Sequence, residues 1–387
     1  MSIFPPPPEP KSLLEFQRVL SPTAGVRVSP LCLGAMNFGD AWEAGMGKCD
    51  KSTTFEILDF FWDQGGNFID TANNYQNEES ETWIGEWLTE RKNRHELVLA
   101  TKFTTCFPDP RNKSPRLRVN YAGNSTKSLH VSLAASLKKL QTDYIDLLYV
   151  HWWDFTTGIP ELMQSLNHVV QQGKVLYLGV SDTPAWVVSK ANEYARNHGL
   201  RQFSVYQGRW SAADRDFERE IIPMAREEGM ALAPWGALGG GAFTTEEKRK
   251  NEEKGRNFRP PTEEQLKISK VLESVAKKHN TAITSIALAY VRSKAPYVFP
   301  IIGGRKIDHL KGNIEALALE LSDEEVDEID SQTNFEVGFP MSFLFEFGGS
   351  KYNTRMTSSD VGLLQLAGKL DSVPNQGAIK AHGMPKK

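Results

Sequence analysis

Asp70, Tyr75, Lys102 and His151 are a carboxylate, a phenol, an amine and an imidazole, each at or just past the end of a short apolar run, in 67–70, 97–102 and 144–151. A strand buried on both faces is nearly all apolar, so a titratable residue at its end marks where the chain meets solvent or ligand. Together the four make a proton-transfer device. A free phenol has a pKa of about 10 and is a poor acid at neutral pH. Lowering that value by about three units takes ~4 kcal/mol, which one ammonium at about 4 Å supplies at an effective dielectric of about 20. Lys102 is therefore expected to pull the Tyr75 pKa down, with Asp70 keeping the amine charged and aimed. Tyr75 would then protonate a developing alkoxide while His151 orients the same oxygen of the substrate. Singly, each residue has a blander use as helix cap, packed aromatic, solvated charge or structural histidine. Their joint placement on successive strand ends is what singles them out.

Two further groups carry chemistry. In the first, Gly303 and Gly304 precede a helical stretch in which Arg305, Lys306, His309 and Lys311 cluster, with Asn313 beyond. Helix N-termini bind anions, and added cations select a dense one such as a nucleotide phosphate, with arginine suited by its forked donors. In the second, Trp235 is followed by Gly236, Ala237, Leu238, Gly239, Gly240 and Gly241. A flat ring beside a backbone that can approach closely suits a planar cofactor. Residues 244–261 are long and polar and are expected to form a flap over whatever binds.

The elements needed to position these residues follow from the hydrophobic pattern. Short β-type runs at 30–33, 67–70, 97–102, 144–151, 175–181, 203–207, 230–235 and 298–302 each precede a stretch of helical spacing. Leu129, Leu133, Leu137 and Leu140 form the clearest stripe. Other helices are expected after Asp50, Glu78, Pro160, Pro184, Ala213 and Lys306. Eight strands and eight helices are the arithmetic of an α/β fold of the (β/α)8 TIM-barrel type, whose active sites lie at the C-terminal strand ends. That rim also receives Ser181, Asp182 and Gln207. An open doubly wound sheet is the competing architecture, but Gly34 to Gly39 lacks its usual glycine fingerprint. Residues 17–28 read as a hairpin able to cap the barrel's N-terminal end. The expected organisation is a Pro-rich, flexible lead-in at 1–14, the barrel at 15–330, and an aromatic segment with a flexible tail at 331–387. The density of Phe335, Phe339, Phe343, Phe345 and Phe347 suggests packing over the barrel mouth.

The 387 residues are 40% hydrophobic with a net charge of −3, so a core is affordable and nothing draws the chain to nucleic acid or anionic membrane. No apolar stretch approaches the ~18 residues of a membrane span, and the N-terminus lacks the regions of a secretory signal. Cys32, Cys49 and Cys106 are far apart, without metal-type spacing, as in a reduced, cytoplasmic protein. No pair of histidines is spaced for a metal.

Phe68-Ile-Asp-Thr-Ala72 with Tyr75, Ala100-Thr-Lys102, Tyr149-Val-His151, Gly179-Val-Ser-Asp182, Tyr206-Gln207 and the segment 303–313 resemble the aldo-keto reductase superfamily over about residues 15–330. Asn73-Asn-Tyr-Gln-Asn77, His151-Trp-Trp-Asp154, Tyr206-Gln-Gly-Arg-Trp210 and Ile302-Gly-Gly-Arg-Lys306 narrow the likeness to the fungal aryl-alcohol dehydrogenase branch, which includes norsolorinic acid reductase-like members. The resemblance implies NADP(H) and carbonyl–alcohol interconversion, with Tyr75 as proton donor, Lys102 and Asp70 as its tuning pair, and His151 on the substrate. It also implies that Ser181, Asp182 and Gln207 hold the nicotinamide carboxamide under Trp235, with Arg305, His309 and Asn313 at the adenosine end. Asp182 departs from the wider family, where asparagine is commoner, and can accept from the carboxamide but not donate to it. Trp152, Trp153, Trp210 and the phenylalanine run suggest a small aromatic carbonyl or alcohol as substrate. Two rival expectations are a Schiff-base aldolase acting through Lys102 and an NADPH-binding regulatory subunit. Physiological substrate, reaction direction and oligomeric state are not readable from the residues.

Overall fold

The computed structural model describes residues 4–109, 111–112, 114–246, 249 and 260–383. Most of the expected flap, 247, 248 and 250–259, lies outside the described residues. An antiparallel hairpin, β1 (Arg18–Ser21) and β2 (Ala24–Val28), precedes eight parallel strands: β3 (Cys32–Gly34), β4 (Phe68–Asp70), β5 (Val98–Phe103), β6 (Ile145–Val150), β7 (Val175–Ser181), β8 (Phe203–Arg209), β9 (Ala231–Trp235) and β10 (Ile301–Ile302). They pair in the order β10-β3-β4-β5-β6-β7-β8-β9. The ring closes where the Leu232 N–H donates to the Tyr297 carbonyl and the Phe299 N–H donates to that of Leu232, both at 2.8 Å. The fold is the (β/α)8 barrel that the strand–helix alternation predicts.

Each strand is followed by helix: α1 (Lys51–Asp63), α2 (Glu79–Arg91), α3 (Thr126–Lys139), α4 (Ile159–Gln171), α5 (Ala185–Asn197), α6 (Ile221–Glu227), the pair α7 (Glu263–Lys278) and α8 (Ile283–Ser293), then α9 (Ile307–Glu315) and α10 (Asp323–Asp330). Side chains of Asp50, Ser125 and Thr262 accept the N–H three residues on and start α1, α3 and α7. The sixth helix begins later than its sequence suggested. Ser211 Oγ accepts the N–H groups of Ala213 and Asp214, making a turn where a helix was expected. The Arg215–Glu218 ion pair then tightens one 3₁₀ turn before α6 starts.

Strand residues alternate between the barrel interior and the helix layer. Phe68, Val98, Ala100, Leu147, Tyr149, Val205, Ala231 and Ala233 fill the interior together with Cys32 and Phe299. Leu97, Leu99, Phe103, Leu148 and Val150 pack outward against the helices. Packing inside is tight enough that a Cβ on Gly179 would sit 2.4 Å from the Tyr149 ring. Leu20, Ala24 and Val28 of the hairpin belong to the interior cluster and close its N-terminal end. Burying side chains of this size contributes about 1.5–3 kcal/mol each.

The C-terminal segment runs along the outside of the barrel. Phe335 lies under the guanidiniums of Arg215 and Arg219, at 4.5 and 4.9 Å. Arg226 Nη2 donates to the Thr354 carbonyl, and the ring of His382 stacks on Phe16 at 3.9 Å. Phe339, Phe343 and Phe347 stay largely exposed, so the aromatic density only partly reflects packing. Gly338, with φ +78°, turns the chain between Phe335 and these three rings.

Candidate active site

The two-residue period of the strands accounts for the site. Asp70 is in phase with Phe68, Lys102 with Val98 and Ala100, His151 with Leu147 and Tyr149, and Gln207 with Val205. All four therefore continue the inward-facing rows at the C-terminal end of the barrel, above the packed interior. Lys102 is fully buried, and its Nζ donates to Asp70 Oδ1 (2.5 Å), the Thr71 carbonyl (2.7 Å) and the Tyr75 hydroxyl (3.3 Å). An ammonium has three N–H bonds, and each has an acceptor. Burial works against its charge, but Asp70 and Tyr75 outweigh burial and raise the Lys102 pKa. A lysine held this way is a poor nucleophile, which removes the support for Schiff-base chemistry.

Tyr75 enters from the loop after β4, where Gln76, Asn77 and Glu78 follow with φ of +52°, +51° and +83°. Three consecutive left-handed residues other than glycine are costly and persist only where other contacts determine them. Buried Gln76 supplies these, accepting the Trp42 N–H at 2.7 Å and donating to the Met36 carbonyl at 3.0 Å. Asn77 Oδ1 accepts the Trp42 indole N–H at 3.0 Å. The loops after β3 and β4 are thus stitched together, with Trp42 edge-on to Tyr75 at 6.3 Å. Trp42 was missed from the sequence; an aromatic in the loop after the first barrel strand was the available signal.

The expected lowering of the Tyr75 pKa is reversed. Burial raises it, and the opposing pull of Lys102 is offset by Asp70, so the phenol stays above its ordinary value of 10.0. A dry pocket penalises the phenolate more than one half-neutralised ammonium favours it. His151 stands against Tyr75 with ring centroids 6.0 Å apart. Burial and the Lys102 charge push its pKa down to about 3, leaving a neutral imidazole.

Ser181 is buried at the end of β7, and its hydroxyl donates to Asp182 Oδ2 at 3.3 Å. Asp182 has φ +40°, and its carboxyl lies beside the Trp235 indole. Gln207 Nε2 donates to Asp70 Oδ2 at 3.0 Å. Trp235 caps β9 with 38% of its surface exposed. Gly236, Gly239, Gly240 and Gly241 have φ between +61° and +101°. A Cβ at Gly240 would meet open space, whereas one at Gly239 would strike Phe243, so the second glycine serves packing. Ala237 is buried and Leu238 packs on the core.

Beyond β10, Gly303, Gly304, Lys306 and Asn313 line a recess with Leu33 and Ile302. Asn37 Nδ2 donates to the Gly304 carbonyl at 2.8 Å, while its buried Oδ1 has no partner among the described residues. The Arg305 guanidinium lies so close over Gly47 that a Cβ there would be 1.8 Å from Nη1. Lys306 and His309 are exposed on the same turn. A flat exposed ring at one side, a glycine-lined recess with an unpaired buried acceptor at another, and cations around it fit a dinucleotide. Of the aromatics expected at the mouth, Trp152 is 38% exposed, but Trp210 is wholly buried and stacked on Phe217 at 5.4 Å. Trp153 packs against the core. Both are drawn inward by apolar neighbours that a local pattern does not show. Among the described residues no helix is long and apolar enough to cross a membrane, and no group of metal-ligating side chains is assembled.

The comparisons with known proteins make this barrel an oxidoreductase. The chain matches the model of the Aldo/keto reductase family over residues 30–334 and belongs to that family, whose members generally use NAD(P)H. It is 57% identical over 381 residues to a norsolorinic acid reductase of Aspergillus flavus, covering 98% of this chain and 96% of the relative. It is 55% identical to an aryl-alcohol dehydrogenase of Pestalotiopsis microspora over 98% and 97% of the two chains. A putative aryl-alcohol dehydrogenase of Saccharomyces cerevisiae is 56% identical over 88% of this chain and 93% of that one.

Proposed function

We propose that this chain is an NADP(H)-dependent reductase of aromatic aldehydes or ketones, able to run in reverse on the matching alcohols, with Tyr75 as proton donor. The observation that carries the reading is the unbroken contact from Asp70 through Lys102 to the Tyr75 hydroxyl, at 2.5 and 3.3 Å, beside neutral His151. When bound, the dinucleotide supplies the hydride. Lys102 holds the Tyr75 hydroxyl and offers positive charge to the oxygen that becomes negative. The phenol, kept protonated by burial, gives up its proton only as that oxygen gains charge. His151 positions the same oxygen. Ser181, Asp182 and Gln207 would hold the carboxamide of the nicotinamide, Trp235 would stack on its ring with Gly236–Gly241 close by, and Arg305, Lys306, His309 and Asn313 would take the adenosine phosphate end.

Trp42, Trp152 and Trp235 give the rim flat apolar walls that favour a planar substrate. The relatives' names, norsolorinic acid reductase and aryl-alcohol dehydrogenase, support the same substrate class and a place in secondary metabolism. Purified protein should oxidise NADPH in the presence of benzaldehyde-type and polycyclic aryl ketone substrates, with kcat/KM at least tenfold above that for small aliphatic aldehydes. Equal rates for the two classes would remove the aromatic specificity. Tight NADPH binding without turnover on any carbonyl would instead favour a regulatory subunit.

A further inference from the structure

The His151 imidazole is met by a short hydrogen-bond relay. The Trp152 indole Nε1 donates to Thr105 Oγ1 at 3.0 Å, and Thr105 Oγ1 stands 3.3 Å from His151 Nδ1. His151 Nε2 has no hydrogen-bond partner among the described residues. We propose that Thr105, with Trp152 behind it, is a positioning residue that fixes His151 as the tautomer with its proton on Nε2.

The argument is one of donor counting. An indole N–H can only donate, so the Thr105 oxygen is the acceptor in that bond. The hydroxyl has one proton, and His151 Nδ1 is its only other partner among the described residues. Donation to Nδ1 uses the hydroxyl's one proton and leaves the neutral imidazole to carry its hydrogen on Nε2. The reverse tautomer would occupy the oxygen's second lone pair and leave the hydroxyl proton with no acceptor among the described residues.

The backbone is held to make this contact. Thr104 has φ +100°, an outlying value for a β-branched residue. Its hydroxyl donates to Asn124 Oδ1 at 2.8 Å and accepts the His151 N–H, and its carbonyl accepts the Gly123 N–H. Buried Asn73 donates to the Thr105 carbonyl at 3.0 Å. Strand β5 thus turns sharply just past Phe103 and delivers the Thr105 side chain to the imidazole of the neighbouring strand.

This inference rests on the proposed role of His151 toward the substrate oxygen, but the tautomer can be read without any substrate. In ¹⁵N-histidine-labelled protein at pH 7, with His151→Asn used for assignment, Nε2 should be protonated and Nδ1 should be the acceptor. Thr105→Val should move the His151 population toward Nδ1–H and lower kcat about 10- to 100-fold, with NADPH affinity unchanged within twofold. Thr105→Ser should restore both tautomer and kcat. Trp152→Phe, which frees the hydroxyl to rotate, should fall between. A protonated Nδ1 in the parent protein, or a Thr105→Val variant with the parent's tautomer and kcat, would overturn the assignment. Failure of every carbonyl to react would remove the proposed function and leave the NMR result to judge the tautomer alone. Should Thr105→Val not fold, the parent spectrum and the Thr105→Ser and Trp152→Phe pair still decide.

Discussion

Gln207 on β8 donates to one oxygen of Asp70 on β4, at 3.0 Å, across the interior of the barrel. Lys102 takes the other oxygen at 2.5 Å, so a single carboxylate ties the proton-transfer residues to the wall where the nicotinamide is expected.

Asp70→Asn removes the counterion of a fully buried ammonium and sets an amide N–H against the Gln207 donor. Leaving one member of a buried pair costs about 3–5 kcal/mol, so urea midpoints should fall well below those of the parent. kcat should drop at least about 100-fold. Parent-like stability in this variant would mean that Lys102 finds another anion.

Tyr75→Phe keeps the ring that packs on Trp42 and His151 and deletes the proposed proton donor. Carbonyl reduction should fall by about 10³-fold or more, while NADPH affinity measured by fluorescence titration stays within about twofold. Retained turnover would assign the proton to another group.

Protonation makes a distinctive pH prediction. With His151 held down to about 3 and both Tyr75 and Lys102 raised, the reduction rate should show no inflection near the ordinary histidine value of 6.5. It should decline only on the alkaline side, above the usual phenol range. Stability behaves differently. Above about pH 6.5 the imidazole is neutral whether folded or not, and it contributes no pH dependence. As pH falls from there toward 3, only the unfolded chain binds the proton, and the fold loses about 1.4 kcal/mol per pH unit on this account. His151→Asn should remove that slope, which chemical denaturation at pH 4, 5 and 7 would reveal.

Cofactor choice can be probed from both sides of one contact. Arg305→Ala should weaken NADPH about 10- to 100-fold while changing NADH little, since a charged hydrogen-bonded contact is worth about 1.5–3 kcal/mol. Gly47→Ala, whose Cβ would displace the same guanidinium from a position of φ +75°, should shift affinity in the same direction without touching a charge. Equal losses for both dinucleotides would mean that Arg305 does not read the extra phosphate.

What could be read in advance was what depends on the local hydrophobic pattern. Asp70, Lys102, His151 and Gln207 could be read as the polar ends of apolar strands, and the barrel from counting strand–helix units; their inward phase is what the structure adds. What escaped depends on contacts distant in sequence. Trp210 and Trp42 are both aromatics near strand ends, yet one stacks in the core on Phe217 and the other stands at Tyr75 because Gln76 and Asn77 hold its loop. No local rule places Thr104 at φ +100°, so nothing in the sequence marks Thr105. The direction of the Tyr75 pKa depended on how dry the pocket is, which residue types alone do not state.

Leu20, Ala24 and Val28 lie beneath an interior already filled by side chains such as Phe68, Tyr149 and Phe299. In the proposed function, dinucleotide and carbonyl would therefore both have to reach Tyr75 from the C-terminal rim, on one side of the molecule.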